Sequence, residues 1–367
     1  MPFPAKGQGA VAISGTGVVA ASPDEQPVPI ASMTKMMTAY LVLQTHPLVG
    51  NEGGPVFTLT AADHAAWVYD AQNDLSNVEL LAGEKLDERQ LLEALLIPSA
   101  DNVANIFASW VSGTEARFVA LMNATARKLG MDQTTYADAS GVSSHTVSTA
   151  ANQALLATIL MKNPVVRSIV RQPDVPFPVE GRVWNYNPEL GVDGIVGVKS
   201  GFTGAAGSCL TTAAWRTVGG RSVLVVSVVT GQPLGLQQAG QADIALLNAE
   251  TQQAKELTPF GDRTVVATVH VPWSHRSIPA SISAPFDPIG PQGLDLSFDL
   301  VGAPVTATEL REGWGAGTVV GTLEVTSPFG TVAQLPVSLD RAIPPPPSGS
   351  RLPRLPTSFP VHASSGT

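Results

Sequence analysis

The sequence predicts an α+β fold: an antiparallel sheet flanked by helices, with an all-helical subdomain and a small C-terminal all-β domain. Three observations predict it. Apolar runs of strand length occur near the N-terminus and again from about residue 195, and glycine-rich turns separate the runs of this second group. Residues 85–162 have mostly helical periodicity, without the strand–helix alternation of a parallel sheet. After residue 255 or so the pattern becomes short and alternating, which is typical of an all-β module.

Composition excludes several classes of protein. The chain has 367 residues, of which 44% are hydrophobic and 14% charged, so it is globular, with two domains or one large domain and an appendix. A net charge of −9 without a Lys/Arg cluster argues against a nucleic-acid partner. The single cysteine, Cys209, excludes an internal disulfide framework. Motifs for metal or nucleotide binding are missing, so we expect no cofactor.

The chain ends carry little targeting information. The first residues lack the charged start and apolar core of a signal peptide, and no apolar run reaches the ~18 residues of a membrane span. Either the protein is cytosolic, or its targeting and anchoring segments lie outside this sequence.

The first element is a predicted strand at residues 10–14. It is followed by Gly15-Thr16-Gly17-Val18-Val19-Ala20, which imitates the glycine fingerprint of dinucleotide-binding folds. That fingerprint needs a helix next, but prolines at positions 23, 27 and 29 forbid one. We therefore predict a two-stranded hairpin with a glycine turn.

A helix is predicted from Ser32 to about His46, apolar almost all round and so buried. Its first turn holds Ser32-Met33-Thr34-Lys35, and residues three apart on a helix lie on one face. Lys35 is then placed to take the proton of the Ser32 hydroxyl, which becomes a nucleophile. Taken alone, the pattern favours a serine that merely caps a helix, because Ser-x-x-Lys is a loose pattern that occurs by chance.

The remaining elements follow from periodicity and from Gly and Pro. We predict a polar, irregular stretch at 49–83 and helices at 86–97, 102–111, 116–129 and 149–162. Strands at 194–199, 209–215 and 222–230 precede a helix at 237–250, and the N-terminal hairpin is expected to join these strands in one sheet. Further strands are predicted at 264–271, 294–300 (half-buried), 317–325 and 332–339. The expected domains are 1–254, 255–341 and a Pro/Ser-rich tail at 342–367.

Two further motifs accompany the serine–lysine pair. Ser99-Ala100-Asp101-Asn102 follows a predicted helix, and Lys199-Ser200-Gly201-Phe202 continues a predicted strand. In this order the three motifs resemble those of the penicillin-recognising serine peptidases. The chain looks most like the low-molecular-mass penicillin-binding proteins that are D-alanyl-D-alanine carboxypeptidases. The resemblance includes flanks such as 95–99, 139–142 and 207–210 and covers residues 5–250, with a weaker likeness beyond.

The resemblance implies a fold and roles for the motif residues. The fold would be that of DD-peptidases and β-lactamases. Ser32 would attack the D-Ala-D-Ala carbonyl, Lys35 would take its proton and Ser99 would relay a proton to the departing D-alanine.

The same resemblance implies a substrate-binding strand. Lys199 would supply positive potential and help to keep Lys35 neutral, and Ser200 would bind the terminal carboxylate. The backbone N–H groups of Ser32 and Phe202 would form the oxyanion hole, and Gly201, between Ser200 and Phe202, would belong to the same substrate-binding strand.

Asp101 departs from the family pattern, which has an amide-bearing residue at this position. An ionised Asp only accepts hydrogen bonds, and beside Lys35 it would make that lysine a worse base. Three interpretations stay open: Asn102 substitutes through a shifted loop, activity is reduced, or Asp101 is protonated when buried.

The predicted function is a serine DD-carboxypeptidase that acts on peptidoglycan stem peptides and is acylated by β-lactam antibiotics. The family's extracytoplasmic location implies export, with any membrane association made through segments outside this sequence. A β-lactamase is the first alternative; Glu189 is the sole glutamate near a plausible cleft loop, and its surroundings do not match those of the class A enzymes. The second alternative is a weakly active or non-catalytic domain that binds muropeptides.

Three other features have simpler interpretations. His145 is predicted to be a surface histidine, and Cys209 a core residue in an apolar strand. Trp184-Asn185-Tyr186-Asn187 fits either a cleft wall or a structural turn.

Overall fold

The protein is described by a computed structural model for residues 1–233, 235–257, 260–271, 273, 276–304, 307–348 and 361–363. Its contacts divide the chain into two units. The first contains Met1–Ser14 and Val18–Gln253, and the second Gly15–Gly17 and Ala254–Thr367. In the part of the chain that is described, no helix is both long and apolar enough to cross a membrane.

The first unit mixes helices with mostly short strands. The strands are β1 Gln8–Ile13, β2 Gly17–Ala21, β3 Val28–Pro29, β4 Val56–Thr58, β5 Lys85–Asp87, β6 Val147–Ser148, β7 Asp174–Phe177, β8 Gly181–Trp184, β9 Ile195–Thr203, β10 Gly207–Val218 and β11 Arg221–Gln232. The helices are α1 Lys35–Thr45, α2 Ala61–Gln72, α3 Glu88–Leu96, α4 Asp101–Ser112, α5 Glu115–Lys128, α6 Ala150–Leu160, α7 Pro164–Val170 and α8 Leu236–Gln253. Short 3₁₀ helices lie at Ala31–Thr34 and Val192–Gly194.

One five-stranded sheet organises this unit, in the order β2-β1-β11-β10-β9. Strand β1 pairs antiparallel with β11, and β10 pairs antiparallel with both β11 and β9. The N-terminal hairpin therefore joins the later strands, as predicted. The α+β class is confirmed, and the glycine motif at 15–20 belongs to a hairpin rather than to a nucleotide site.

The two faces of this sheet are covered by different elements. Adjacent residues on a strand point to opposite faces. On β10, the hydroxyl of Thr211 donates to Met33 in the first 3₁₀ helix, while that of Thr212 donates to Asp243 on α8. The Ser32 segment and α8 consequently lie on opposite faces of the sheet.

Helix α1 runs through the core. Met36, Met37 and Val42 have no exposed surface, in agreement with its apolar circumference. The sequence predicts one helix from Ser32, whereas the structure has a 3₁₀ turn followed by α1. The predicted helices beyond residue 85 are found within a few residues of their expected ends.

The prediction of an irregular stretch at 49–83 is wrong, because this stretch contains β4 and the whole of α2. Helix α2 begins with a capping box in which Thr60 accepts from the Asp63 N–H and Asp63 accepts from the Thr60 N–H. This Thr-x-x-Asp signal is visible in the sequence. Helix α7 and the β7–β8 hairpin were also not predicted.

The second unit is the small all-β domain that the alternating pattern indicates. Its elements are β12 Ala254–Glu256, β13 Val265–His270, β14 Ser277–Ile282, β15 Ile289–Pro291, β16 Ser297–Gly302, α9 Ala307–Glu312, β17 Val319–Ser327, β18 Gly330–Leu339 and β19 Val361–Ala363. Six of these strands form a sheet in the order β16-β17-β18-β14-β13-β19.

Two expectations for the second unit need correction. The sequence predicts a half-buried strand at 294–300. In the structure, β16 starts at Ser297, lies at the sheet edge and is mostly exposed. The predicted tail has no strand, whereas Val361–Ala363 pairs with β13. Positions 349–360 and 364–367 of that tail lie outside the described residues.

Candidate active site

The serine and lysine of the first motif touch. The Nζ of Lys35 lies 2.8 Å from the Oγ of Ser32, at the junction of the 3₁₀ helix and α1. The residue before the serine, Ala31, has a left-handed backbone with φ 48°. Its carbonyl oxygen would lie 1.9 Å from a Cβ built on Gly141, so only glycine fits opposite this turn. The chain thus turns sharply where it presents Ser32.

Lys35 is fully buried and donates three hydrogen bonds. Besides Ser32, its Nζ donates to Oδ1 of Asp101 at 2.5 Å and to the backbone oxygen of Ser140 at 2.9 Å. An ammonium has three N–H groups, and all three are used. One of the three acceptors is therefore an almost fully buried carboxylate.

The loop that carries Ser140 is shaped by Asp138. Its Oδ2 accepts from the backbone N–H groups of Gly141 and Ser143 at 2.8 and 3.2 Å, and its Oδ1 accepts from Thr146 at 2.5 Å. The sequence does not indicate Asp138 or Ser140 as site residues, and residues 139–142 only match a flanking pattern of the family. Ser140 contacts Lys35 through its backbone oxygen, which every residue type has, so the residue type at this position does not reveal the contact.

The second motif meets Lys35 through Asp101 and not through its neighbour. The side chain of Asn102 turns to the backbone of Val78, donating to its oxygen at 2.9 Å and accepting from its N–H at 3.4 Å. The interpretation in which Asn102 replaces the missing amide through a shifted loop therefore does not describe this site.

Ser99 stands at the entry to α4. It is 3% exposed, has φ 68°, and its Oγ has no hydrogen-bond partner among the described residues. A buried hydroxyl without a partner costs free energy, and a left-handed serine is strained. Both features are typical of a residue kept for its chemistry.

The third motif brings a second buried lysine to the site. Lys199 is 1% exposed, and its Nζ donates to the backbone oxygen of Ser200 at 2.7 Å. Burial and the charge of Lys35 hold the pKa of Lys199 well below its usual range, while the charge of Asp101 opposes them. The three motifs therefore share one electrostatic environment.

Gly201 brings the sheet edge against the serine. A Cβ at this position would lie 2.8 Å from the Ser32 nitrogen and 3.2 Å from the Met33 nitrogen. The next residue, Phe202, is 64% exposed on β9, which is the edge strand of the sheet. Ser200 lies on the same strand and is 5% exposed.

The other residues that the sequence analysis singled out lie elsewhere or are structural. Glu189 lies against Gly240 of α8, on the face of the sheet away from Lys35. His145 is exposed, and Cys209 is fully buried, with its pKa raised to about 11 by burial. Trp184 is exposed, while Asn187 is buried and accepts from the Glu189 N–H. Within the described ranges, no group of acidic, His or Cys side chains could hold a metal ion.

Comparison with known proteins agrees with this geometry. The family model described as D-alanyl-D-alanine carboxypeptidase matches residues 6–233. The carboxypeptidase DacF of Bacillus subtilis is 26% identical over 227 residues, 60% of this chain and 57% of DacF. DacB2 of Mycobacterium tuberculosis, also named a carboxypeptidase, is 33% identical over 171 residues, 45% of this chain and 57% of DacB2.

These alignments span a little over half the length of each relative. Among solved structures, penicillin binding protein 5 from Haemophilus influenzae superimposes with a TM-score of 0.70 at 18% identity, over 92% of this chain and 97% of that one. At this identity the likeness shows the fold. The family model spans more than half of the sequence, and the chain belongs to the D-alanyl-D-alanine carboxypeptidase family.

Proposed function

We propose that the protein is a serine D-alanyl-D-alanine carboxypeptidase that removes the terminal D-alanine of peptidoglycan stem peptides. The observation that carries this proposal is the 2.8 Å contact between Lys35 Nζ and Ser32 Oγ, with Lys199 buried nearby. A hydroxyl needs an adjacent base to become a nucleophile, and a neutral lysine amine is such a base.

Acylation requires two proton transfers, one from Ser32 to Lys35 and one to the leaving amine. The Ser32 oxygen bonds to the carbonyl carbon of the D-Ala-D-Ala bond while its proton passes to the neutral amine of Lys35. The carbon–nitrogen bond then breaks, and the leaving D-alanine amine takes a proton through Ser99. The buried hydroxyl of Ser99, which has no hydrogen-bond partner in the described part of the chain, supports this relay role.

The substrate's charges match the groups around Ser32. The terminal carboxylate is anionic, and Lys199 and Ser200 offer an ammonium and a hydroxyl on one strand. The backbone N–H groups of Ser32 and Phe202 are the proposed oxyanion hole, and the close approach at Gly201 supports their convergence. Asp101 is proposed to orient Lys35, and no substrate contact is assigned to Asn102.

Deacylation completes the reaction. Water attacks the ester of Ser32, which releases the shortened peptide and restores the hydroxyl. A β-lactam is a strained amide that the same serine opens, and its ring nitrogen remains attached, so the acyl-enzyme persists. The position of Glu189 on the α8 side of the sheet argues against fast, glutamate-assisted deacylation of the β-lactamase type.

One observation favours a second candidate function. Asp101 lies 2.5 Å from the Lys35 nitrogen, and a carboxylate beside an amine favours the ammonium form, which cannot accept a serine proton. A domain that binds muropeptides with little or no hydrolysis does not need Lys35 as a base, so it is compatible with this pairing.

The decisive experiment combines intact mass and product release. Wild type, Ser32→Ala and the control Ser144→Ala, an exposed loop serine, are incubated with penicillin and with a D-Ala-D-Ala tripeptide. We expect a covalent adduct lasting minutes and free D-alanine with wild type and the control, and neither with Ser32→Ala. Turnover of penicillin in milliseconds would favour a β-lactamase, and peptide binding without adduct or D-alanine would favour the binding domain.

The family's substrate gives the location. Because peptidoglycan lies outside the cytoplasmic membrane, we propose an extracytoplasmic, cell-envelope protein. We further propose that residues 1–254 are the peptidase domain, 255–341 an accessory all-β domain and 342–367 a tail.

A further inference from the structure

The loop of residues 138–146 lies against helix α1. Thr38, three residues after Lys35 on that helix, donates its hydroxyl to the backbone oxygen of Ala139 at 2.7 Å. Lys35 donates to the backbone oxygen of the next loop residue, Ser140, at 2.9 Å. Neither of these two side chains on α1 is exposed to solvent. Two consecutive backbone oxygens of the loop therefore accept hydrogen bonds from buried side chains of α1.

The same loop also contacts the chain just before Ser32. The backbone oxygen of Thr146 accepts from the Ile30 N–H in a long hydrogen bond of 3.4 Å. Gly141 approaches Ala31 so closely that a Cβ on the glycine would overlap the Ala31 backbone oxygen. The positions of the serine and of the lysine in the first motif therefore both depend on the course of this loop.

A single carboxylate holds the loop in shape. The Oδ2 of Asp138 accepts from the Gly141 and Ser143 N–H groups at 2.8 and 3.2 Å and from the Ser140 hydroxyl at 3.1 Å. Its Oδ1 accepts from the Thr146 hydroxyl at 2.5 Å. Hydrogen bonds to an ionised acceptor are stronger than those between neutral groups. The residues that Asp138 holds thus include those through which the loop contacts the first motif.

The surroundings of Asp138 fit a structural carboxylate rather than one that balances a charge. An ionised carboxylate only accepts hydrogen bonds, at about four lone-pair sites, and the donors from the loop occupy this capacity. Among the described residues, Asp138 forms no ion pair. Its side chain is therefore devoted to the geometry of the loop.

We propose that Asp138 is a positioning residue for the nucleophile and its base. By fixing the loop of residues 138–146, it places the Ser140 oxygen against the Lys35 nitrogen and the Thr146 oxygen against the chain that leads to Ser32. This role rests on the proposed function and adds a residue to it. No contact with the substrate is assigned to Asp138.

Two substitutions at this position test the hydrogen bonds. Asp138→Ala removes every acceptor of the side chain, so the Gly141 and Ser143 N–H groups lose their partner. Asp138→Asn keeps one oxygen for these N–H groups, and its NH₂ group can donate to the Thr146 hydroxyl oxygen, because a hydroxyl both donates and accepts. The asparagine should therefore preserve the shape of the loop that the alanine loses.

The matched control is Asp63→Ala at the start of α2. The Oδ2 of Asp63 accepts from both the N–H and the hydroxyl of Thr60 at 2.7 Å, so this change also removes backbone and hydroxyl hydrogen bonds to a carboxylate. Helix α2 carries none of the three motifs. Asp63→Ala should lower the thermal midpoint and leave acylation unchanged.

The measurement is the rate of acylation by a fluorescent penicillin over a range of concentrations, together with the thermal midpoint of each variant. The concentration series gives the limiting acylation rate and the apparent dissociation constant separately. For Asp138→Ala we expect the limiting rate to fall about 10- to 100-fold, because a displacement of the reacting groups by about 1 Å has an effect of this size. The dissociation constant should stay within about threefold of wild type, since the binding strand β9 is untouched. Asp138→Asn should restore the limiting rate to within about threefold of wild type.

A second pair of variants gives the same test if Asp138→Ala does not fold. Thr146→Val removes the hydroxyl that donates to Asp138, whereas Thr146→Ser keeps it. We expect the valine variant to be acylated at least about threefold more slowly than the serine variant. Equal limiting rates in this pair would overturn the role.

Three further results would overturn it. The first is a wild-type limiting rate in Asp138→Ala with only a lower thermal midpoint. The second is an equal loss of rate in Asp63→Ala, and the third is an asparagine variant as slow as the alanine variant. If wild type is not acylated at all, the proposed function itself falls, and this role falls with it. That outcome is distinct from an acylated wild type whose rate does not respond to Asp138.

Discussion

The Nζ of Lys35 lies 2.5 Å from the Oδ1 of Asp101, in a site where the lysine is fully buried and the aspartate nearly so. A neighbouring carboxylate favours the charged form of an amine, whereas acylation needs the neutral form. The contact that orients Lys35 therefore also opposes its use as a base.

Replacing Asp101 by asparagine should relieve this opposition. Asp101→Asn keeps an oxygen that accepts from Lys35 but removes the negative charge, so the neutral amine becomes easier to reach. We expect penicillin acylation at pH 7 to become about three- to tenfold faster, a small part of the roughly 10²- to 10⁴-fold that a general base typically contributes. Stopped-flow or gel-based labelling with a fluorescent penicillin measures it.

The control for this change is Asp132→Asn, which removes the same charge from an exposed loop position. It should leave the acylation rate unchanged. An unchanged or slower rate in Asp101→Asn would show that the carboxylate is needed for more than holding the lysine.

Gly201→Ala should separate the edge strand from the nucleophile. The added Cβ would lie 2.8 Å from the Ser32 nitrogen and 3.1 Å from the Ala31 Cβ, so β9 or the serine turn must shift. A shift of a few tenths of an ångström to 1 Å is expected to slow acylation about 10- to 100-fold. Gly204→Ala is the matched control, because its Cβ would meet nothing within 4 Å. Equal rates in the two variants would contradict the proposed oxyanion hole.

Asp243 should make the stability of the fold depend on pH. Its carboxylate is fully buried on α8, where Thr212 and Ser227 donate to it, and burial raises its pKa to about 7. Because the folded protein binds this proton more tightly than the unfolded chain, the stabilisation is present below pH 4 or so and is lost as pH rises to about 7.

Asp243→Asn should remove this dependence. We expect the difference in unfolding free energy between pH 4.5 and pH 7.5 to change by about 2–3 kcal/mol relative to wild type. Urea denaturation at the two pH values measures it, with Asp132→Asn as the exposed control. A difference equal to that of wild type would mean that Asp243 is ionised throughout the range.

Much of the fold follows from local patterns. The apolar strands, the amphipathic helices beyond residue 85 and the glycine turns each carry their own periodicity, which is why most of these elements are found near their predicted places. Helix α2 was missed because its sequence has no strong apolar stripe, and its Thr60–Asp63 capping box is a short signal inside a polar stretch. The edge strand β16 was predicted as half-buried because alternation alone does not say whether a partner covers the apolar face.

The sequence by itself determined that a serine and a lysine lie one turn apart, because helical geometry fixes that separation locally. It also contains the two later motifs, and the order of all three motifs carries the resemblance to the penicillin-recognising serine peptidases. Only the tertiary structure decided that Asp101 rather than Asn102 meets Lys35, and that the backbone oxygen of Ser140 accepts a hydrogen bond from the same nitrogen. These contacts join residues up to about a hundred positions apart, and their geometry depends on how helices and a sheet edge pack, which no local pattern encodes.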